Sequence, residues 1–333
     1  MRTNDIRAIA PGRVNIIGDH TDYTGGLCLP MAIDLATTIV GERIGDRIDL
    51  TSDLDDTPAM LSLDVGDVGS MHPAWARYVA GVTKVVKPTV GLVGKVTTTI
   101  PLGAGLSSSA ALEVALALAL GFDGTPLEIA RACQKAENEA TGVPTGILDQ
   151  LSSAAGQAGH AMMMDCHDLT VRYVPMPDDV EVVVIHSGKS RDLAHSGYTE
   201  RVEQCAVAES IVGPLRLASL QSLHAIEDQL VLRRARHVVS ENQRVRDFAS
   251  AMANGEFMTA GMIMNDSHRS LRDDYESSHP VVDELIAALM RTSGVLGARI
   301  TGGGFGGCVV ALSEPGALEV GWRVRASGGA RLD

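Results

Sequence analysis

PLGAGLSSSAALEVALALAL, at residues 101–120, places a glycine- and serine-rich loop directly before an apolar helix. Gly103 and Gly105 let the backbone approach a ligand closely and adopt torsion angles that other residues avoid. The helix predicted over 109–120 would present free amide groups and the positive end of its dipole to that ligand. The stretch therefore predicts a phosphate-binding loop with three serine hydroxyls beside it. Taken alone, it fits equally well a loop whose serine caps a buried helix.

Two more glycine-rich segments lie far from this loop in the chain. PGRVNIIGDHTDY, at residues 11–23, brings together Arg13, Asp19, His20 and Asp22, which suits a ligand with many hydroxyl groups. Its end also fits the exposed tip of a hairpin. TGGGFGG, at residues 301–307, indicates a strand, a glycine turn and a strand. Glycines in such strands usually mark close backbone approach, and a hairpin without a ligand is the alternative.

A fourth informative segment is ENEATGVPTGILDQ, at residues 137–150. Glu137 lies late in a helix predicted over 126–141, with Thr125 as its N-cap. Asp149 follows a Pro/Gly turn and, on pattern alone, is the N-cap of another helix. Tyr198 begins a helix predicted over 197–211, where an amphipathic surface position explains it equally well.

Two motifs imitate nucleotide-binding signatures. Residues 188–190 read GKS, as at the end of a Walker A loop, but Val183 stands where the first glycine belongs. Without that glycine the loop cannot wrap phosphates. Residues 302–307 satisfy GxGxxG, but the apolar run at 308–312 predicts a strand where a dinucleotide fold needs a helix. Neither motif therefore predicts a nucleotide site.

Composition limits the function classes. The chain has 333 residues, a formal net charge of −13 and 45% hydrophobic residues, which indicates a folded protein and argues against nucleic-acid or anionic-membrane surfaces. No apolar run reaches the roughly 18 residues of a membrane helix. Five cysteines without CxxC spacing and the absence of a signal-peptide pattern predict a cytoplasmic protein with reduced thiols.

The order of predicted elements indicates an α+β protein of two lobes, with a boundary near residue 180. Strands are predicted over 6–10, 35–42, 47–51 and 94–100 and again over 160–165, 170–174 and 180–186. Helices are predicted over 73–86, 109–120 and 126–141. After residue 190 long helices follow, over 197–211, 219–230, 232–254, 256–274 and 281–293, before the strand pair around the third glycine segment.

Together, the three glycine-rich segments resemble the signatures of the small-molecule kinase superfamily of galactokinase, homoserine kinase, mevalonate kinase and phosphomevalonate kinase (GHMP kinases). The run of more than twenty positions from residue 11 to residue 33 and the triple serine are similar to the galactokinase forms. The resemblance covers residues 10–312. It implies a ribosomal-S5-like N-terminal lobe over 1–180 and a ferredoxin-like C-terminal lobe over 181–333, and transfer of phosphate from ATP to the C1 hydroxyl of galactose.

The resemblance also implies roles for individual residues. Asp149 is implied to take the proton of the attacking hydroxyl, with Arg13 stabilising charge on the transferring group. Ser109 and Glu137 are implied to hold Mg²⁺. The implied ATP-binding residues are Gly103, Ala104, Gly105, Leu106, Ser107, Ser108 and Ser109, and the implied sugar-binding residues are Asp19, His20, Asp22, Gly146 and Tyr198.

One residue departs from the family pattern. Asp19 stands where galactokinases carry Glu, at the position implied to contact the C6 hydroxyl of the sugar. The exact sugar therefore stays open among galactose, N-acetylgalactosamine, arabinose and galacturonate. A sensor that binds galactose and ATP without turnover is a second alternative, disfavoured by the intact Arg13 and Asp149. We expect a monomer or a weak homo-oligomer with no nucleic-acid or membrane partner.

Overall fold

The computed structural model describes residues 4–142, 145–189 and 197–333. Across these ranges the chain forms thirteen strands and eight α-helices. In chain order they are β1 Asp5–Asn15, β2 Leu27–Cys28, β3 Pro30–Arg43, β4 Arg47–Ser52, β5 Ala59–Ser62, α1 Ala76–Val86, β6 Leu92–Thr98, α2 Ser108–Ala119, α3 Pro126–Thr141, α4 Leu148–Ala155, β7 His160–Asp165, β8 Val171–Pro175, β9 Glu181–His186, α5 Tyr198–Val212, α6 Gln229–Ala253, α7 Phe257–Asp273, α8 Pro280–Leu289, β10 Val295–Ile300, β11 Cys308–Ser313, β12 Trp322–Val324 and β13 Arg331–Leu332.

The largest sheet has six strands in the order β13-β1-β3-β6-β4-β5. The long strands β1 and β3 pair antiparallel, and their register shifts between Pro11 and Arg13. Such an irregularity re-aims the side chains that follow it, and Arg13 is the first of them. α2 and α4 pack on this sheet, and α1 and α3 pack on α2. One face of the sheet and the helix α2 thus form a shared core.

The second sheet has four antiparallel strands in the order β10-β11-β9-β12. α7 and α8 pack on β10, and α5 and α6 pack on each other. A small third sheet, β2-β7-β8, lies next to β3. A hydrophobic core that includes Val14, Ala104, Val184 and Val310 joins residues of the first and second sheets. The loops that carry the glycine-rich segments meet at this junction.

Most of the predicted elements are confirmed, and the fold is α+β. In α3 the predicted N-cap Thr125 forms a capping box with Glu128. The helix predicted over 219–230 is wrong, because residues 219–228 contain only a 3-10 turn at Ser222–Ala225 and α6 begins at Gln229. Ser219 and Ser222 accept hydrogen bonds from each other's backbone amides and close a local turn in its place.

Within the described ranges, no helix combines the length and the apolar character needed to cross a membrane. The division into lobes at residues 180 and 181 stays a prediction. The strand β13, although last in the chain, pairs with β1 in the first sheet.

Candidate active site

The loop between β6 and α2 alternates left-handed residues with buried ones. Gly103, Gly105 and Ser107 adopt left-handed torsions, with φ of 71°, 67° and 59°, and Ala104 and Leu106 between them are buried. Two apolar side chains therefore anchor the loop in the core, and the residues between them take the torsions that a tight turn needs. The seven residues predicted to surround the ATP phosphates are consecutive in this loop and the helix start: Gly103, Ala104, Gly105, Leu106, Ser107, Ser108 and Ser109.

Arg13 and Asp149 form a bidentate ion pair beside the loop. The Nε and Nη2 atoms of Arg13 each donate to a carboxylate oxygen of Asp149 at 2.7 Å. Nη1 of Arg13 donates to the carbonyl oxygen of Gly105 at 2.7 Å, and the hydroxyl of Ser107 donates to Asp149. The aspartate is 32% exposed and the arginine 11%, so solvent reaches the pair beside the loop. We call the region bordered by this pair, the loop and the turn at residues 20–22 the cleft.

Asp149 is the second residue of α4, and Ile147 occupies the N-cap position. The interpretation of Asp149 as a helix N-cap is therefore wrong. Its carboxylate is held by an arginine and a serine from distant segments, not by the amides of its own helix. That arrangement leaves the side chain available to a ligand at the loop.

Ser109 and Glu137 provide oxygen ligands suitable for a divalent cation. The hydroxyl of Ser109 lies 3.2 Å from Oε1 of Glu137, and Oε2 of Glu137 accepts from Thr145 and Gln150, each at 2.9 Å. A hydroxyl and a carboxylate are the hard donors that such a cation prefers. No group of three acidic, His or Cys side chains suited to a metal occurs among the described residues, so phosphates and water would have to complete the coordination.

His20 and Asp22 lie at the same cleft, in the turn after β1. The ring of His20 lies 4.6 Å from that of Tyr275 and 5.7 Å from that of Tyr198, centroid to centroid. Burial raises the pKa of Tyr198 well above its usual range, so its hydroxyl stays protonated. The rings of His20, Tyr198 and Tyr275 therefore form one wall of the cleft, called the His20 wall below.

The carboxyl of Asp22 is close enough to two other acids, Asp19 and Asp149, for their charges to act on it. Burial, followed by the charges of Asp19 and Asp149, raises its pKa to about 6. A Cβ added to Gly146 would come within 3.1 Å of Oδ2 of Asp22, so the glycine leaves the acid room. Asp22 and Gly146 are thus neighbours, as the resemblance implied for a common sugar site.

Asp19 points away from the cleft and into the protein. Its Oδ1 accepts from Nδ2 of Asn15 at 2.9 Å and from the amide of Gly302 at 3.0 Å, and its Oδ2 pairs with Arg299 at 2.7 Å. Burial raises the pKa of Asp19, although Arg299 and Asn15 oppose the shift. Asp19 therefore connects the first glycine-rich segment to the third.

Sequence reasoning missed the buried ion network around Arg299. Glu241 of α6 is fully buried, lies 3.8 Å from Arg299 and accepts from Arg244 and Ser267, each at 2.6 Å. Burial alone would raise the pKa of Glu241, but the neighbouring charges, Arg244 foremost, hold it at about 2. Its Oε1 also accepts from the amide of Gly18. The one available signal was an arginine in the middle of an apolar strand.

A second missed residue is Glu113, the single charged side chain of α2. It is fully buried, and burial, followed by the charge of Glu137, raises its pKa well above the usual range. Tyr275 was also missed as a member of the His20 wall. Its hydroxyl forms hydrogen bonds with the hydroxyl of Tyr23 and with the thiol of Cys205. A lone glutamate in an Ala/Leu helix was the signal for the first.

The structure confirms the prediction that a strand, and not a helix, follows the GxGxxG run at residues 302–307. That strand is β11, so residues 302–307 are a strand connection. Of the GKS run, Gly188 and Lys189 follow β9, whereas Ser190 falls outside the described residues.

Three family models match the chain. The galactokinase galactose-binding signature matches residues 2–43, the GHMP kinases N terminal domain matches residues 77–157, and the GHMP kinases C terminal model matches residues 248–325. The segments matched by the first two models contain Arg13, Asp22, the phosphate loop and Asp149.

Curated relatives and solved structures agree with these matches. The galactokinase of Homo sapiens is 42% identical over 332 residues, which is 94% of this chain and 85% of that protein, and the galactokinase of Bos taurus is 42% identical over 334 residues. The structure of Lactococcus lactis galactokinase complexed with galactose superposes with a TM-score of 0.90 and 30% identity, over 99% of this chain and 95% of that one. A mevalonate kinase, at 18% identity and a TM-score of 0.72, shares the fold. The chain therefore belongs to the galactokinase family and has the GHMP kinase fold.

Proposed function

We propose that this chain transfers the γ-phosphate of ATP to the anomeric C1 hydroxyl of galactose, giving galactose 1-phosphate and ADP. The observation that carries the proposal is the contact of Asp149 with both Arg13 and Ser107. The proposal is supported by this carboxylate, which lies beside the loop between β6 and α2 and near the turn that holds His20 and Asp22. A phosphoryl acceptor bound there meets a base and the phosphate together.

The transfer follows from this placement. Asp149 accepts the proton of the C1 hydroxyl, which is unusually acidic for a sugar hydroxyl, as its oxygen bonds to the γ-phosphorus. The bond from the γ-phosphorus to the bridging oxygen breaks, and the electron pair leaves with ADP. Arg13 holds Asp149 in position and stabilises negative charge on the transferring group. The loop amides and the dipole of α2 bind the remaining phosphate charge.

Ser109 and Glu137 are the residues that would hold Mg²⁺. Their hydroxyl and carboxylate oxygens fit the pattern in which Mg²⁺ uses one or two protein carboxylates together with substrate phosphates. When bound, the ion neutralises charge that develops on the phosphates. In our proposal Thr145 and Gln150 orient the Glu137 carboxylate toward Ser109.

The sugar would be recognised by His20, Asp22, Gly146 and Tyr198. Buried groups that pair with hydroxyls reject analogues that lack them, because the site is then left with unpaired polar atoms. Asp19 supports a second candidate, a kinase of a related sugar altered at C6 or C2. Its carboxylate is bonded to Arg299, Asn15 and Gly302, so it does not offer a free acceptor to the sugar.

We also propose a cytoplasmic location, since the reaction consumes ATP, and action as a monomer or a weak homo-oligomer.

The test is ADP release with Mg-ATP across galactose, 6-deoxygalactose, N-acetylgalactosamine, arabinose, galacturonate and mevalonate, with phosphorus NMR of each product. We expect a sugar 1-phosphate formed mainly from galactose. Preference for arabinose or 6-deoxygalactose would favour the second candidate and keep the mechanism. Binding of galactose without release of ADP from any substrate would reject both in favour of a sensor.

A further inference from the structure

The buried Glu113 of α2 is not explained by packing. It follows Ser109 by four residues, so the two side chains lie on the same face of the helix, one turn apart. Its Oε2 accepts from Nε2 of Gln150 at 3.0 Å, while its Oε1 has no hydrogen-bond partner within the described part of the chain. An apolar side chain would fill this position without that desolvation cost.

Gln150 connects Glu113 to the proposed metal ligand. It is fully buried, and its Nε2 donates both to Oε2 of Glu113 at 3.0 Å and to Oε2 of Glu137 at 2.9 Å. Both N–H bonds of the amide are thereby used, and each ends on a carboxyl oxygen. The amide bridges two acidic side chains that come from different helices.

The position of Gln150 in α4 extends this connection to the proposed base. Asp149 and Gln150 are consecutive in the first turn of α4, so their side chains diverge by about 100° around the helix axis. Asp149 reaches the phosphate loop through Ser107, and Gln150 reaches α2 and α3 through Glu113 and Glu137. One helical turn therefore links the two halves of the proposed chemistry.

We propose that Gln150, held by Glu113, is a positioning residue. It fixes the orientation of the Glu137 carboxylate relative to Ser109 and to Asp149. The proposal rests on the proposed function, since it assigns Glu137 to the metal. Replacing Gln150 leaves Oε2 of Glu137 with Thr145 as its remaining donor and leaves Glu113 without the donor that Gln150 provides. The metal ligand then has a wider range of orientations, and metal affinity falls.

The experiment measures Mn²⁺ binding by electron paramagnetic resonance in the presence of a non-hydrolysable ATP analogue, together with kcat and KM for Mg-ATP. Gln150→Leu should raise the Kd for Mn²⁺ about tenfold to a hundredfold, the usual effect of losing a residue that orients a metal ligand. Since the binding measurement needs no turnover, it reads the metal site even if galactose is not the substrate.

Two conservative variants keep the test readable if Gln150→Leu does not fold. Gln150→Asn shortens the amide by one methylene, so it cannot reach both carboxyls and should also weaken Mn²⁺ binding. Glu113→Gln keeps an oxygen that accepts from Gln150 and should hold the Kd near the wild-type value, whereas Glu113→Leu should not.

Asn265→Leu is the matched control, because it removes a side-chain hydrogen bond to the amide of Ala298 in β10 and not one to Glu113, Gln150 or Glu137. It should lower the melting temperature and leave the Mn²⁺ Kd unchanged. If Gln150→Leu and Gln150→Asn behave like this control, the positioning role is wrong. Glu137→Gln is the reference: if it fails to weaken Mn²⁺ binding, the metal assignment under the proposed function is wrong and the positioning role falls with it.

Discussion

Two aspartate–arginine pairs lie within the same region of this molecule and differ in their access to solvent. In the pair of Asp149 and Arg13 the acid is 32% exposed, whereas in the pair of Asp19 and Arg299 the acid is 7% exposed and the arginine fully buried. The first pair touches the phosphate loop, and the second is bonded to the interior of two glycine-rich segments.

The exposed pair is therefore suited to chemistry, and the buried pair is suited to stabilising the fold. A proton acceptor, the role proposed for Asp149, must be reachable by substrate, and Asp149 is partly exposed while Arg13 holds its carboxylate. A sealed pair can exchange nothing with a ligand, but breaking it leaves an uncompensated charge in the interior. Residue types and charges are the same in both pairs, so burial decides their roles.

The largest expected effect comes from neutralising Asp149, the acid of the exposed pair. Asp149→Asn should lower kcat by about three orders of magnitude, because the hydroxyl loses its proton acceptor. Sugar binding, measured by calorimetry, should persist, since Asn retains the shape of the side chain. Asp168→Asn, an exposed acid in the turn after β7, is the control. Near-normal turnover by the Asp149 variant would remove the proposed base.

Breaking the buried pair of Asp19 and Arg299 should lower the stability of the protein more than it changes the reaction. Arg299→Met leaves Asp19 and Glu241 without their shared cation, and loss of one partner of a buried pair costs about 3–5 kcal/mol. Urea unfolding followed by circular dichroism measures the loss. The matched control is Arg7→Met, which breaks the exposed pair with Asp333 and should cost about 0–1 kcal/mol. Equal losses in the two variants would contradict the distinction.

The smallest expected effect is a pH dependence of the protein's stability that arises from Asp22. The charges of both Asp19 and Asp149 act on its carboxyl. Its pKa is about 6 in the folded protein, above the ordinary value of 3.8, so folding binds a proton between these values. The folded state therefore loses stability as pH rises from about 4 to 6. Asp22→Asn should raise the melting temperature more at pH 7.5 than at pH 4.5.

Differential scanning calorimetry at both pH values measures this difference. The exposed Asp56→Asn should shift the melting temperature equally at the two. An equal shift for Asp22→Asn would show that its carboxyl titrates normally in the folded protein.

Local patterns predicted most of the elements, because their determinants lie within a few residues. The capping box of Thr125 and Glu128 is confirmed, and so is the strand after the third glycine segment. The helix predicted over 219–230 failed for a local reason as well: serine side chains satisfied the backbone in a turn. The apolar content of that stretch did not reveal the competition.

The site could be predicted only in part. The loop torsions of Gly103 and Gly105 follow from their residue type, and the resemblance supplied the roles of Asp149 and Glu137, which stay predictions. The inward orientation of Asp19 depends on Arg299, and the burial of Glu113 depends on Gln150. These partners are remote in sequence, and no local periodicity encodes which remote side chain an acid will meet.

The return of β13 to the first sheet has a mechanical consequence. The chain enters the four-stranded sheet at β9 and leaves it after β12, so two stretches of backbone tie that sheet to the six-stranded one. The same junction is also held by the shared core that includes Val14, Val184 and Val310 and by the buried pair of Asp19 and Arg299. Backbone, packing and charge therefore all fix the glycine-rich segments relative to one another, and a change that loosens one of these three connections leaves the other two in place.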